Sequence, residues 1–250
     1  MEVWIIMGLT HSPSIVLDKL AFCMDGINSK CYSGSGTSVN DVSGNGYTGT
    51  LNGLGSQVSY NASVGSFDFT GDDGASIAYA ESNISKDPSL YLTGVSGELT
   101  YEAWCYPTTI GLYNRLMSTD RSDYNCLMWS SSNRLEFAVD NDTTFRSDNN
   151  AFSANNWYHL VGTASRAAGT SGNIHIYRNG ELIQTGSRNI RNPLGDGTSR
   201  VFGIGANVER TVSNNGCFIG KIAIVRIYGK ALSAVEVRQN FEAHRERFEL

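Results

Sequence analysis

Two pairs of carboxylates, Glu98 with Glu102 and Glu136 with Asp140, stand four residues apart in stretches that read as extended chain. A strand repeats every two residues, so each pair shares one face. Glycoside hydrolysis needs two such groups, about 5–5.5 Å apart for retention or farther for inversion. No E-x-D-x-x-E arrangement accompanies them, and solvated carboxylates on a sheet face explain such pairs more simply. The histidines His11, His159, His175 and His244 have no serine or cysteine in a nucleophile-elbow setting beside them, and no H-E-x-x-H occurs. His159 and His175 are expected to be structural. In Asn40–Asn52, Asp41, Ser43 and Asn45 offer oxygens where Gly44, Gly46 and Gly49 allow positive φ. Such a loop either caps itself or holds a hard cation. Tyr113, Tyr124, Trp129 and Phe145 are the candidate aromatics for stacking on a glycan, with burial in the core as the competing role.

The elements that must position these groups are mostly strands. Lys221–Tyr228 is β-branched and aromatic, as a strand packed on both faces should be. A change of period follows. Ser233 and Glu236 form a capping box, Leu232 and Val237 a hydrophobic staple, and Phe241 lies one turn beyond Val237, which predicts a helix at about 233–245. Further strands are predicted at 20–25, 66–70, 75–80, 98–107, 115–118, 126–130, 134–139, 156–163 and 201–205. Asn179-Gly180 supplies the type I′ turn of a hairpin over 174–183.

Composition agrees with an all-β chain. Among 250 residues there are 27 glycines and 4 prolines, aromatics reach 10% and charged residues only 17%, which suits short strands with glycine-rich turns. One domain is expected at this length. A net charge of −5 leaves no basic footprint for nucleic acid or an anionic membrane. The five cysteines are odd in number and include no C-x-x-C, so neither a zinc site nor a full disulfide framework is expected, and Cys23 and Cys105 read as buried thiols. No run approaches the ~20 apolar residues of a membrane span. Val3–Leu9 is apolar but short and lacks a positive n-region, so it is not read as a signal peptide.

Several of these stretches together resemble laminin-G-like (concanavalin A-like) jelly rolls: I-x-x-V-R-I-Y at 222–228 followed by A-L-S-x-x-E-V at 231–237, E-A-W at 102–104, W-Y-H-x-V at 157–161 and Y-x-N-G at 177–180. The resemblance runs over about residues 7–250. It implies a two-sheet antiparallel jelly-roll sandwich with one short carboxy-terminal helix, in a domain at 20–250 behind an amino-terminal arm at 1–19. Met7–Val16, the Asp25–Thr37 run and D-x-S-G-N-x-x-x-G-x-L at 41–51 are similar to the subgroup found in tailed-bacteriophage virion proteins, with Met7 as an alternative start.

The resemblance implies a non-enzymatic virion protein for decoration or adhesion. Its partners would be glycans, neighbouring capsid or tail proteins, or both; an oligomer is compatible. The expected location is the exposed virion surface after synthesis in a host cytoplasm, which suits unpaired thiols without an export signal. A concanavalin A-fold glycoside hydrolase and a cellular surface lectin are the alternatives. The resemblance also makes calcium the cofactor to consider, with Asp41 and Asn45 as ligands and Asp72 and Asp73 added by composition. Many relatives carry an acidic residue in the last strand where this chain has Ala223 and Ile224, so that strand is expected to do no metal or acid/base chemistry.

Overall fold

A computed structural model describes residues 13–71, 75–79, 97–110, 114–118, 125–139, 144–166, 171–189, 202–206 and 216–250. Two antiparallel sheets face each other. The first contains β1 (Leu20–Asp25), β4 (Val58–Asn61), β5 (Ser66–Thr70), β7 (Glu98–Pro107), β12 (Tyr158–Arg166), β13 (Ser171–Arg178), β14 (Glu181–Asn189) and β16 (Ile219–Tyr228). Its order is β14-β13-β12-β7-β16-β5-β4, and β1 pairs with the far half of β16. The second contains β2 (Ser38–Asn40), β3 (Thr48–Asn52), β6 (Ser76–Tyr79), β8 (Arg115–Ser118), β9 (Asn125–Ser130), β10 (Arg134–Val139), β11 (Thr144–Arg146) and β15 (Phe202–Ile204), in the order β11-β10-β9-β8-β15-β6-β3-β2. This is the all-β sandwich expected from the sequence.

Period-2 alternation sends one set of side chains from each sheet into the shared core. Leu99, Tyr101, Ala103 and Cys105 of β7 meet Leu127 and Trp129 of β9 and Leu135, Phe137 and Val139 of β10, all fully buried. The sheets approach closely at Gly162, where an added Cβ would run into the Phe137 ring. Asn179 (φ 52°) and Gly180 (φ 79°) make the expected hairpin turn between β13 and β14.

From Ile222 onward β16 is buried on both faces, as its composition requires. Ile222, Val225 and Ile227 point into the sandwich, while Ala223 and Ile224 pack outward against Trp104, Phe241 and Phe248. A register shift between Ile222 and Ile224 lets both neighbours face outward. Over that outer face lies α1 (Ala234–Glu242), capped by Ser233 with the reciprocal Glu236 bonds of the capping box. The helix is shorter than predicted: after Ala243 the chain turns at His244 (φ −133°) into a 3₁₀ turn at Arg245–Phe248.

The described part of the amino-terminal arm buries one side chain in the domain. Val16 is buried with Val161, Tyr177, Tyr228, Leu232 and Val237, and its N–H donates to Oδ1 of Asn240 at 2.8 Å. The stretch 13–19 is thus anchored to the closure of the domain at Val16, whose apolar side chain and backbone donor both find partners there, while Leu17, Asp18 and Lys19 beside it stay exposed. Residues 1–12 lie outside the described residues.

Candidate functional site

The carboxylate pair Glu98 and Glu102 lies on the outer face of β7, and the carboxy-terminal segment closes over it. Glu102 is fully buried. Its Oε1 accepts from Nη1 of Arg226 at 2.6 Å and lies 3.2 Å from Nε2 of His159; its Oε2 accepts from Nδ2 of Asn240 at 2.7 Å. Asn240 also donates to the Tyr228 hydroxyl at 2.9 Å, and Nη2 of Arg226 donates to Nε2 of His244 at 2.5 Å. Burial alone would raise the Glu102 carboxyl, but Arg226, His159 and Asn240 outweigh it and hold the group down at about 2. It stays ionised and unable to act as a general acid near neutral pH. Burial and the Arg226 charge push His244 down to about 4, so its imidazole is a neutral acceptor. Glu98 accepts from the Ala231 N–H at 3.3 Å. Both glutamates therefore hold the segment after β16, and His159 is structural as expected, tilted against Trp104 with ring centroids 4.8 Å apart. His175 meets the Thr185 hydroxyl across β13 and β14 at 2.8 Å.

Asp41, Ser43 and Asn45 converge as the sequence suggested, and the oxygens a hard cation would take already face donors. Oδ1 of Asp41 accepts from the N–H groups of Cys23 and Ser43, both at 2.8 Å, and its Oδ2 accepts from the Ser43 hydroxyl at 2.7 Å. Asn45 turns its amide nitrogen inward, donating to the Ala21 carbonyl at 2.8 Å and to Ser43 Oγ at 3.1 Å. A cation wanting 6–8 oxygens does not fit this arrangement without displacing the loop's own bonds. Asp72 and Asp73 lie outside the described residues, and the described residues contain no cluster of metal-ligating side chains.

The second carboxylate pair is divided: Asp140 lies outside the described residues, while Glu136 stands on the outer face of β10. Register places Arg115, Met128, Glu136 and Arg146 in one row across β8–β11, with Arg146 ion-paired to the buried Glu136. Of the glycan candidates, Tyr113 and Tyr124 lie outside the described residues. Trp129 and Phe145 belong to the core. Trp129 shares the inward face of β9 with Leu127 and packs edge-on against Phe152 at 4.8 Å, and Phe145 sits beneath Gly186. Neither ring has a face free for a ligand.

A different aromatic pair remains partly open. On the outer face of the first sheet, Tyr106 and Trp157 are half-buried neighbours with ring centroids 5.7 Å apart. Beside them run Lys221 and Asp68, whose side chains are 33% and 27% exposed and lie 3.6 Å apart. Neither aromatic was a candidate at the level of sequence. The signal was present, because Tyr106 follows Glu102 and Trp104 on one strand face, but alternation does not tell which part of a face is covered.

The family described as the concanavalin A-like lectin/glucanases superfamily, of laminin-G type, matches residues 69–238. No curated protein matches the chain. Among solved structures, the binding domain of botulinum neurotoxin DC in complex with rat synaptotagmin II superposes with a TM-score of 0.61 at 15% identity, covering 91% of this chain and 52% of that one. Domain 4 of AbnA, an extracellular arabinanase from Geobacillus stearothermophilus in complex with arabinotriose, gives 0.59 at 17% identity, covering 89% and 98%. The binding domain of Paraclostridial Mosquitocidal Protein 1 gives 0.62 at 15%, covering 90% and 52%. The chain spans about half the length of the toxin binding domains it matches. At these identities the likeness is one of fold.

Proposed function

This chain belongs to the concanavalin A-like lectin/glucanases superfamily, and from that premise we propose that it is a non-enzymatic recognition domain of a tailed-phage virion, decorating the particle or adhering through glycans or a neighbouring capsid or tail protein. The observation that carries the non-enzymatic part is the fate of Glu102: the best-placed carboxylate for hydrolysis is buried, ionised and ion-paired beneath a packed helix. A glycosidase acid needs the opposite environment, with a raised pKa and access to the glycosidic oxygen. Recognition is supported by relatives of the same fold, one complexed with arabinotriose and one with synaptotagmin II. The virion assignment rests on the phage-like segments at 7–16, 25–37 and 41–51 and on a cysteine set that is odd in number and has no C-x-x-C, as suits assembly in a reducing cytoplasm. It runs through no metal.

The test has two arms. The purified chain is screened on a glycan array and on a polysaccharide panel with product detection; binding without turnover is expected, and turnover lost in Glu136→Gln would replace the proposal with hydrolysis. Virions are then fractionated and probed with antibody against the chain. Co-sedimentation with intact particles and surface accessibility are expected, and recovery only in the soluble lysate would remove the virion assignment.

A further inference from the structure

We propose that the outward row Asp68, Lys221, Tyr106 and Trp157 on the first sheet is a binding platform for a neutral oligosaccharide. The inference rests on the recognition reading and gives it a site and a ligand class. Register sets the row: Asp68 of β5 pairs with Lys221 of β16, and Lys221 pairs with Tyr106 of β7. Trp157 immediately precedes Tyr158, which pairs with Cys105, so its ring comes beside Tyr106. Three strand spacings of about 4.8 Å make a row roughly 14 Å long, the scale of a short sugar chain.

The carboxy-terminal turn defines where this platform begins. Phe248 stacks on Trp104 at 4.5 Å and also lies 4.5 Å from Trp157, closing the face up to that point. Beyond it Tyr106, Trp157, Lys221 and Asp68 all retain contact with solvent. Phe248 supports Trp157 from the covered side, and Nζ of Lys221 lies 5.7 Å from the Tyr106 ring centroid, so both rings are held by neighbours before any ligand arrives. Such preorganisation lowers the ordering cost of binding.

The chemistry of the row selects its occupant. Aromatic faces accept the C–H face of a pyranose, while a carboxylate and an ammonium 3.6 Å apart offer an acceptor and donors to neighbouring hydroxyls. Asp68 and Lys221 cancel in charge, which favours a neutral sugar over a sulfated or sialylated one. Among the described residues, the exposed large aliphatic side chains Leu17, Ile27, Leu54, Leu182, Val235 and Leu250 belong to other segments than the row, whose own members are aromatic and charged, unlike the broad apolar centre of a protein interface.

The experiment titrates ¹⁵N-labelled chain with neutral gluco-, galacto- and manno-configured oligosaccharides and, in parallel, sialylated and sulfated ones, following the indole N–H signals. A neutral oligosaccharide is expected to move the Trp157 signal and spare that of buried Trp129. Trp157→Ala and Tyr106→Ala are each expected to weaken binding at least tenfold, with Tyr106→Phe retaining most of it. Asp68→Asn keeps an acceptor for the Ser66 hydroxyl, which donates to Asp68 at 2.6 Å, but leaves Lys221 unbalanced; it is expected to raise the acidic-to-neutral binding ratio. Should Trp157→Ala unfold the chain, Tyr106→Ala and Asp68→Asn carry the test. Neutral binding untouched by those two variants would overturn the platform and leave the recognition reading standing, whereas capture of acidic sugars alone or of protein alone would overturn the choice of ligand. A wild-type chain that binds no glycan would overturn both the platform and the glycan half of the recognition reading.

Discussion

Glu102 and Arg226 form a buried pair whose value depends on both members. Each is at most 1% exposed, and the remaining carboxylate oxygen is taken by Asn240. Glu102→Ala would leave a guanidinium buried without its counter-charge, so a loss of about 3–5 kcal/mol is expected in a denaturant titration. The pair sets one pH dependence and His244 another. Glu102 has its carboxyl lowered from 4.5 to about 2, so its contribution is complete above pH 4.5 and is lost as pH falls toward 2. His244 is lowered from 6.5 to about 4; the unfolded chain takes up that proton first, and stability falls between pH 6.5 and 4. Because the imidazole is only partly buried, on the order of 1–2 kcal/mol is expected over that window. His244→Gln should flatten this slope in melts taken from pH 7 to 4 while leaving the steeper loss below 4.5.

At the scale of elements, α1 is the lid of the first sheet and is held from four sides. The capping box closes its start, Lys230 links Glu236 to Asp18, Arg238 pairs with Glu181 of β14, and Gln239 donates to the Ser14 carbonyl. The helix is short, so its persistence depends on these contacts more than on intrinsic propensity. Ser233→Ala removes the cap and is expected to cost about 1 kcal/mol, read as faster amide exchange through α1 ahead of the strands. The capping box and staple were legible in the sequence because they are local. The end of the helix was not, since the turn at His244 follows from Arg226 and Trp104 reaching it across the fold.

For the molecule as a whole, the sandwich places the polar groups described above in four kinds of surroundings: under α1, in self-satisfied loops, in the Glu136–Arg146 row of the second sheet, and on the open row beside Phe248. Asp41 and Asn45 belong to the second kind. A thermal melt with calcium against chelator is therefore expected to show an unchanged midpoint; a site filled at about 100 times its Kd would add about 2.7 kcal/mol and shift it upward. The four buried thiols fit the same frame, with burial pushing Cys23 up to about 11 and Cys31 up to about 12, so neither is a reactive nucleophile at neutral pH. Alkylation of the native chain should reach Cys217, the partly exposed thiol, well before these two.

The fold class and its closure were determined by the sequence alone. Period-2 alternation, glycine-rich turns, the Asn179-Gly180 hairpin and the capping box are all short-range, and each states its structure without knowledge of distant partners. Alternation also put Glu102, Trp104 and Tyr106 on one face of one strand. It did not say that Phe241 and Phe248, some 140 residues away in the chain, would cover the first two and leave the third partly open. That decision belongs to the tertiary structure, because burial depends on which long-range segment packs on a face. The same side chains can close a core or present a ring to a ligand.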